Sequence, residues 1–197
     1  RISRTIEEYI YPAMEDYKLN LILGKGPMAR TMELKLPKFT LIGATTRPGL
    51  LSSPLRSRFG ATFQLNFYQQ DNIEKIIERS AKILGLQIEL EAIKIIAQRS
   101  RFTPRVANRL LKRSRDYAQV NNIKTIDADS TKKTLGLFEI DEMGLEPVDR
   151  GLLKTIIEKF DGGPVGINAL AAALNDDPGN IEEVYEPFLI SLGFLNR

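Results

Sequence analysis

Hydrophobic residues recur at two periods along this chain, and the two periods separate its predicted helices from its strands. A spacing of three to four residues predicts helices over 3–14, 71–84, 89–98, 104–118, 127 to 135 or 137, 149–160 and 168–174, and one more from 180 onward. Strict alternation predicts a β-hairpin over 17–36 and a further strand over 61–68. A short apolar run at 39–42 predicts a buried strand. The chain therefore reads as a mixed α/β part followed by two helical parts.

The stretch 39–60 is the one around which the α/β part is organised. Its predicted strand ends in the polar tip Ala44–Arg47, and ligands bind at the carboxyl ends of strands in open α/β sheets. A short helix is then predicted, with Ser53 as N-cap, Pro54 at the first helical position and two arginines at its end. This arrangement suits a phosphate-sensing site, although a strand end with surface charges would give the same pattern.

A second candidate for anion binding lies at the start of the helix predicted over 104–118. We expect Thr103 to cap this helix and Pro104 to occupy its first position. Arg105 then projects from the first turn, where a cation opposes the helix dipole, so helix stability does not explain it. A bound anion would explain it, because helix N-terminal amides and a guanidinium together form a phosphate site. Arg101 and Arg109 are expected to be solvated.

Three helices followed by a strand at 194–195 predict a winged helix-turn-helix at the C-terminal end. Asp149 and Asn180 are the predicted caps of the first and third of these helices. The predicted recognition helix carries three carboxylates, which would repel phosphates in a DNA groove. They are Glu182, Glu183 and Glu186. Major-groove reading by this helix is therefore not expected.

Composition removes several classes of chemistry. The 197 residues include no cysteine and no histidine, which excludes disulfides, Cys/His metal sites and catalytic triads that use either residue. The net charge of +3 is too small to establish nucleic-acid binding by itself. The longest apolar run, Ile167–Leu174, is too short to span a bilayer, so no membrane association is expected. A reducing, cytoplasmic location fits this composition.

Four segments carry a resemblance to a known family. GATTRP followed by SRF, within residues 43–60, resembles the sensor 1 and arginine-finger segment of the AAA+ ATPases. The whole of GATTRPGLLSSPLRSRFG is more closely similar to the RuvB family of bacterial Holliday-junction branch-migration motors. The further segments YPAMEDY (11–17), TPRVANR (103–109) and GGPVG (162–166) match the same family. The resemblance runs the length of the chain.

One departure from the family qualifies this resemblance. No G-x-x-x-x-G-K-[ST] motif and no DExH motif occur in the 197 residues. We therefore expect a fragment that lacks the N-terminal part of the ATPase domain and does not hydrolyse ATP by itself.

The resemblance implies an α/β plus all-α fold with three domains. Residues 1–69 would be the C-terminal part of an AAA+ P-loop sheet domain, with a pre-sensor β-hairpin at 17–36. Residues 70–140 would be the four-helix AAA+ lid, and residues 141–197 a truncated C-terminal winged helix.

The resemblance also implies roles for individual residues. Arg58 would be the arginine finger that acts on the ATP of a neighbouring subunit, with Arg56 as the alternative. Thr46, in preference to Thr45, would be the sensor 1 residue that orients the attacking water. Arg105 would be sensor 2, which contacts the γ-phosphate in its own subunit.

The implied cofactor is ATP or ADP with Mg²⁺, and no metal site is assigned within this chain. A loop containing Glu15, Asp16 and Tyr17 would lie near the nucleotide, at the edge that faces a neighbouring subunit. Tyr68 would contact the nucleotide base, or else pack between domains.

The implied function is that of an ATP-dependent DNA motor subunit, which drives branch migration of Holliday junctions in recombination and repair. The implied assembly is a homo-hexameric ring around duplex DNA, with RuvA, and with RuvC in a resolving complex. RuvA would dock on Leu21 and Leu23 of the hairpin, unless these residues pack on the chain's own sheet. Arg197 is the only wing arginine available to bind DNA.

Two other function classes would show different features in the sequence. A non-catalytic winged-helix DNA-binding regulator should carry an arginine-rich recognition helix. A clamp-loader-type AAA+ subunit shares the sensor residues but lacks the hairpin and ends in a helical collar.

Overall fold

The computed structural model describes residues 3–24 and 30–197, apart from the side chain of Leu23. The chain divides into two compact units, residues 1–65 and residues 66–197. Each unit is described by itself.

The first unit begins with a capped helix that leads directly into a hairpin. Its elements are α1 (Arg4–Asp16), β1 (Lys18–Leu23), β2 (Arg30–Lys35), a 3₁₀ turn (Pro48–Leu50) and α2 (Ser53–Arg58). Ser3 caps α1 as predicted, because its hydroxyl accepts a hydrogen bond from the Ile6 amide. The prediction of a loop at Glu15 and Asp16 is wrong, since α1 continues through both residues. Tyr17 ends the helix in the left-handed conformation, with φ of 56°.

The predicted hairpin is present. β1 and β2 pair antiparallel, with Leu19 opposite Leu34 and Leu21 opposite Met32. Because side chains alternate between the two faces of a strand, these residues form one apolar face.

The two strands predicted over 39–42 and 61–68 do not form within the part of the chain that the structure describes. Both segments are irregular, and Ile42, Phe63 and Leu65 are 87%, 83% and 90% exposed. A strand requires a neighbour to satisfy its amides and carbonyls, and a buried strand requires covering layers. The described residues supply neither to these segments, so the prediction of a buried strand is wrong for this chain.

The cap of α2 lies one residue earlier than predicted. Ser52, not Ser53, accepts the hydrogen bond from the Leu55 amide, at 3.2 Å. Pro54 is accordingly the second helical residue. Leu55 is 3% exposed and packs α2 against α1.

The second unit begins with the four helices predicted for residues 70–140. Its first elements are α3 (Gln70–Ile83), β3 (Gln87–Ile88), α4 (Leu90–Gln98), α5 (Pro104–Val120), β4 (Thr125–Ile126) and α6 (Ala128–Leu137). β3 and β4 form a short parallel pair. The fully buried centre of this part comprises Ile73, Ile77, Ile96, Leu110, Leu111 and Leu135.

The two predicted caps in this part differ in outcome. Asp127 caps α6 as predicted and forms a capping box with Ser130. Thr103 occupies the N-cap position of α5, but its hydroxyl donates to the Ser100 carbonyl and accepts no bond from the helix. Pro104 is the first helical residue, as predicted.

The remaining helices build a second core. They are α7 (Pro147–Phe160), α8 (Ile167–Leu174), α9 (Pro178–Asn180), a π-helical turn (Ile181–Tyr185) and α10 (Glu186–Ser191). The core residues include Leu152, Ile156, Leu170, Ile181, Phe188 and Leu189. Phe102, from the loop before α5, packs against this cluster.

Three predictions for this part are wrong. Glu146, not Asp149, is the N-cap residue of α7. Asp149 is the third helical residue, and its carboxylate accepts a hydrogen bond from the Glu146 amide. Asp177, not Asn180, caps α9. A proline follows each true cap within the first turn, and its fixed φ sets the helix start there. No strand forms at 194–195, since the described residues offer it no pairing partner.

Candidate functional site

Arg58 is the last residue of α2, and three groups of the same unit hold its guanidinium. Its Nε lies 2.9 Å from Oε1 of Glu15, and its Nη1 donates to the Pro54 carbonyl at 2.8 Å. Its Cζ lies 4.4 Å from the centre of the Tyr11 ring. The side chain is still 25% exposed. The guanidinium is therefore oriented before any ligand arrives and remains open to solvent.

Arg56, the alternative finger, has a different environment. It is exposed, and its side chain makes no hydrogen bond or ion pair with the other described residues. Its position is typical of a solvated surface charge.

The polar tip at residues 44–47 distinguishes its two threonines. The Thr45 hydroxyl accepts a hydrogen bond from the Arg47 amide at 3.0 Å. Thr46 is exposed, and its hydroxyl has no hydrogen-bond partner among the residues described. Only the Thr46 hydroxyl is thus uncommitted.

The polar tip and the end of α2 lie next to each other. A β-carbon built on Gly43 would lie 3.5 Å from Cζ of Phe59, the residue that follows Arg58. The sensor-like and finger-like motifs, which are separate in sequence, are therefore neighbours within the first unit.

Glu15 and Arg58, two candidate site residues predicted independently of each other, are in contact in the structure. Glu15, at the end of α1, is the ion-pair partner of Arg58, and both Glu15 and Asp16 are exposed. Tyr17 presents its ring at 88° to the Phe39 ring, with 5.9 Å between the centres. The Glu15–Arg58 pair links the end of α1 to the end of α2.

Arg105 projects from the first turn of α5 as predicted. It is exposed, and no acidic residue occupies that first turn. A groove of about 540 Å³ beside it is lined largely by the basic side chains of Arg105, Arg109, Lys112 and Arg113. Such a groove favours an anion.

Arg101 is not solvated, so that prediction is wrong. Its side chain is 13% exposed, and its Nη2 donates to Oδ2 of Asp149 at 2.5 Å. Its guanidinium also lies 4.8 Å from the centre of the Phe188 ring. The partners are 48 positions apart, and no periodic pattern in the sequence signals such a pair.

Asp149 is fully buried, and this burial raises the pKa of its carboxyl. The hydrogen bond from the Glu146 amide and the charge of Arg101 act in the opposite direction. The second carboxyl oxygen, Oδ1, has no hydrogen-bond partner in the described part of the chain. Only the Oδ2 atom of the Asp149 carboxyl is therefore hydrogen-bonded among the described residues.

The segment that leads to Arg105 is strained. Arg101 and Phe102 both adopt the left-handed conformation, with φ of 53°, which costs about 1–2 kcal/mol for each L-residue. The Asp149 pair and the packing of Phe102 on the C-terminal core hold these two residues in place. Arg109, also predicted to be solvated, is 52% exposed and pairs with Glu146 at 2.6 Å.

Tyr68 lies beside the same segment. The residue is 47% exposed, and its amide donates to the Phe102 carbonyl at 3.2 Å. The contact fixes the start of the second unit against the loop before α5.

The hairpin presents partly exposed apolar side chains. Leu21 is half-buried, while its cross-strand neighbour Met32, and Leu34, are each 45% exposed. The side chain of Leu23, the other predicted docking residue, lies outside the described part.

Arg197 is held by the helical segment that the sequence marked as acidic. Its Nη2 lies 2.8 Å from Oε2 of Glu186 and 3.1 Å from Oε1 of Glu182. The bond to Glu186 is the main reason that the pKa of Arg197 is raised.

Within residues 3–24 and 30–197, no three or more His, Cys, Asp or Glu side chains group closely enough to bind a metal ion. The same residues contain no helix with the length and apolar character needed to cross a membrane.

Comparison with known proteins identifies the family. Three family models match: the Holliday junction DNA helicase RuvB P-loop domain over residues 1–65, the RuvB AAA lid domain over 68–141 and the RuvB C-terminal winged helix domain over 142–197. The Holliday junction branch migration complex subunit RuvB of Dehalococcoides mccartyi (strain CBDB1) is 55% identical over the whole chain. The chain spans 56% of the length of that relative.

Solved structures give the same result. The Thermotoga maritima RuvB Holliday junction branch migration motor is 45% identical, with a TM-score of 0.82, and the match covers 100% of this chain and 61% of that one. A point mutant of the same protein matches at 45% identity with a TM-score of 0.83, over 100% of this chain and 62% of the mutant. These findings confirm the family resemblance and the fold class, an AAA+ lid and a winged helix that follow part of a P-loop domain. The chain belongs to the RuvB family.

Proposed function

We propose that this chain is part of an ATP-driven DNA motor subunit that moves the branch point of Holliday junctions in recombination and repair. The observation that carries the proposal is the state of Arg58, which is oriented by three contacts and still open to solvent. Family membership supports the same function. The chain spans just over half of its D. mccartyi relative, so the activity belongs to the whole protein.

Arg58 would act on the ATP of a neighbouring subunit. The γ-phosphoryl group gathers negative charge as it leaves, and a guanidinium placed against it stabilises that charge through two fixed contacts. The finger would have to leave Glu15 for the phosphate, so the ion pair defines a resting position. A homo-hexameric ring would supply the neighbour for each subunit.

Two further residues would complete the response to the γ-phosphate. Arg105, on the N-terminal turn of α5, would contact it within the same subunit, because helix amides and a guanidinium both favour an anion there. Thr46 would orient the attacking water through its uncommitted hydroxyl. Arg105 would thereby report the nucleotide state to the four-helix part.

ATP or ADP with Mg²⁺ is the proposed cofactor. The residues of this chain that would contact it are Glu15, Asp16, Tyr17, Arg58, Tyr68 and Arg105. Neither a P-loop lysine nor a DExH motif is present in the 197 residues, so this chain would contribute sensing and finger residues rather than the magnesium ligands.

The apolar face of the hairpin supports the proposed partner. Exposed apolar patches mark protein contacts, and here the face that contains Leu21 would receive RuvA. RuvC would join in a resolving complex. Duplex DNA would be contacted through Arg197. The helical segment that carries Glu182 and Glu186 would not enter a DNA groove, because its carboxylates would repel the phosphates.

The two alternatives receive less support. All three family matches are to RuvB domains, and none is to a clamp loader or a transcriptional regulator. Glu182 and Glu186 also occupy the helical segment in which a regulator would need arginines.

Substitution of the finger in the full-length protein tests the proposal. Arg58→Ala should lower kcat for ATP hydrolysis by about 10³-fold or more and abolish branch migration of a synthetic junction. Arg56→Ala, two positions away and exposed, is the matched control and should keep both activities. Wild-type turnover by Arg58→Ala, or loss in Arg56→Ala instead, would contradict the assignment.

A further inference from the structure

Tyr11 contacts the finger helix at both of its ends. At the start of α2, the Tyr11 hydroxyl lies 2.9 Å from the hydroxyl of Ser52, the residue that caps the helix. At the end of α2, the face of the Tyr11 ring lies 4.4 Å below the Arg58 guanidinium. One side chain of α1 thus contacts both the cap of the helix and the charged group that the helix carries.

A buried carboxylate fixes the direction of this hydrogen-bond chain. Glu7 lies one turn before Tyr11 on α1 and is only 5% exposed, and its Oε2 accepts from the Tyr11 hydroxyl at 3.3 Å. The Ser52 hydroxyl must then donate to Tyr11, which leaves the Ser52 oxygen free to accept from the Leu55 amide. Every group in the chain has a partner, so the tyrosine has one defined orientation.

The ring contact acts directly on the guanidinium. A cation over an aromatic face is attracted by the ring quadrupole, and the attraction grows when the pair is partly desolvated. The ring contact uses none of the N–H donors of Arg58, and the ion pair with Glu15 leaves its Nε without a hydrogen bond. Arg58 can therefore leave Glu15 and still rest on Tyr11.

We propose that Tyr11 is a positioning residue for the Arg58 finger, an inference that rests on the function proposed above. The ring sets the height and tilt of the guanidinium, and the hydroxyl sets the orientation of α2 through its cap. The residue does not touch the nucleotide. Its contribution is geometric, and a misplacement of about 1 Å at a reacting centre costs about 10²-fold in rate.

Three variants of the full-length protein separate the two contacts. Tyr11→Met fills similar space without a ring, and we expect kcat for ATP hydrolysis to fall by about 10²-fold while KM for ATP changes little. Tyr11→Phe keeps the ring and should restore most of that loss. Tyr9→Met is the matched control, because Tyr9 is an exposed tyrosine on the same helix. It should turn over at the wild-type rate.

A double-mutant cycle distinguishes positioning from a general structural role. If Tyr11 acts through Arg58, Tyr11→Met should have no further effect on kcat in an Arg58→Ala background. Additive losses in the cycle, or wild-type turnover by Tyr11→Met, would overturn the inference. Should Tyr11→Met fail to fold, Tyr11→Leu, which also lacks the ring over Arg58, takes its place in the cycle. Wild-type kcat in Tyr11→Leu, or additive losses with Arg58→Ala, would then overturn the inference.

The same data separate this inference from the proposed function. An active Arg58→Ala variant refutes the finger itself. An inactive Arg58→Ala beside a fully active Tyr11→Met refutes only the positioning role.

Discussion

At the residue scale, the first unit shows how neighbouring residues of one type are given different tasks. Thr45 and Thr46 are adjacent, but the hydroxyl of Thr45 closes a local turn on the Arg47 amide. A committed hydroxyl has less freedom to orient water, so the uncommitted Thr46 is the better candidate. Arg56 and Arg58 differ in the same way, because only Arg58 is held by its surroundings.

Removal of each hydroxyl in turn tests this distinction. Thr46→Val in the full-length protein should lower kcat for ATP hydrolysis by about 10²-fold, the usual range for loss of a group that positions a proton or water. Thr45→Val loses one exposed local hydrogen bond and should leave kcat nearly unchanged. Steady-state ATPase assays on both variants give the answer, and the reverse order would assign sensor 1 to Thr45.

At the element scale, the β1–β2 hairpin has two chemically different faces. One face carries Leu19, Leu21, Met32 and Leu34, which the register places in adjacent cross-strand pairs. The other face carries an ion pair between Lys18 and Glu33, with 3.1 Å between the charged atoms. Two strands with an apolar face are marginal in isolation, so this face needs a covering surface.

A glutamate introduced on each face of the hairpin in turn tests which face binds RuvA. Leu21→Glu should abolish RuvA binding, because burial of an unpaired carboxylate is costly. Ile22→Glu changes a 61% exposed residue on the opposite face and should leave binding intact. Binding is measured with purified RuvA by calorimetry, with circular dichroism to confirm folding. Full RuvA affinity in a folded Leu21→Glu variant would refute the docking face.

At the scale of the whole molecule, the second unit is tied together by one buried ion pair. Arg101 precedes α5, whereas Asp149 lies in the first turn of α7, so the pair joins the four-helix part to the C-terminal helices. Glu146 extends the network to Arg109. The strained residues before Arg105 are held by this network, so the start of α5 and the C-terminal helices share one support.

Removal of one partner should therefore be costly. Asp149→Ala removes the nearer of the two carboxylates that pair with Arg101 and leaves Glu146, whose Oε1 lies 3.6 Å from Nη2. We expect the free energy of unfolding to fall by about 3 kcal/mol, the lower end of the range for breaking a buried pair. Urea titration followed by circular dichroism measures the change. Asp129→Ala, which breaks an exposed pair with Lys133, is the control and should leave stability nearly unchanged. Equal effects of the two substitutions would show that the buried pair contributes nothing special.

Much of the fold was predictable because it depends on local signals. Ser3 and Asp127 cap their helices through bonds to residues three positions away, and such pairs are visible in sequence. The hairpin follows from alternation, and the four helices of 70–140 follow from their apolar spacing. The family resemblance was carried by short segments in the same way.

Contacts between residues that are far apart in the sequence could not be predicted. Tyr11 and Ser52 are 41 positions apart, and Arg101 and Asp149 are 48 apart. The choice between Ser52 and Ser53 as cap depends on which hydroxyl faces Tyr11, and no propensity scale includes that contact. The strands at 39–42 and 61–68 failed for a related reason, since a strand is completed by a partner and not by its own side chains.

If Arg197 contacts DNA as proposed, its pairing with Glu182 and Glu186 has a consequence for movement along DNA. A phosphate that reaches Arg197 must replace carboxylates that already neutralise it, so the guanidinium exchanges one anion for another. Exposed ion pairs contribute little to stability, and an exchange between two of them involves a small net change in free energy. Such a contact would form and dissociate with little change in free energy. A subunit that passes phosphates in succession requires a grip of this kind, in which release is as easy as capture.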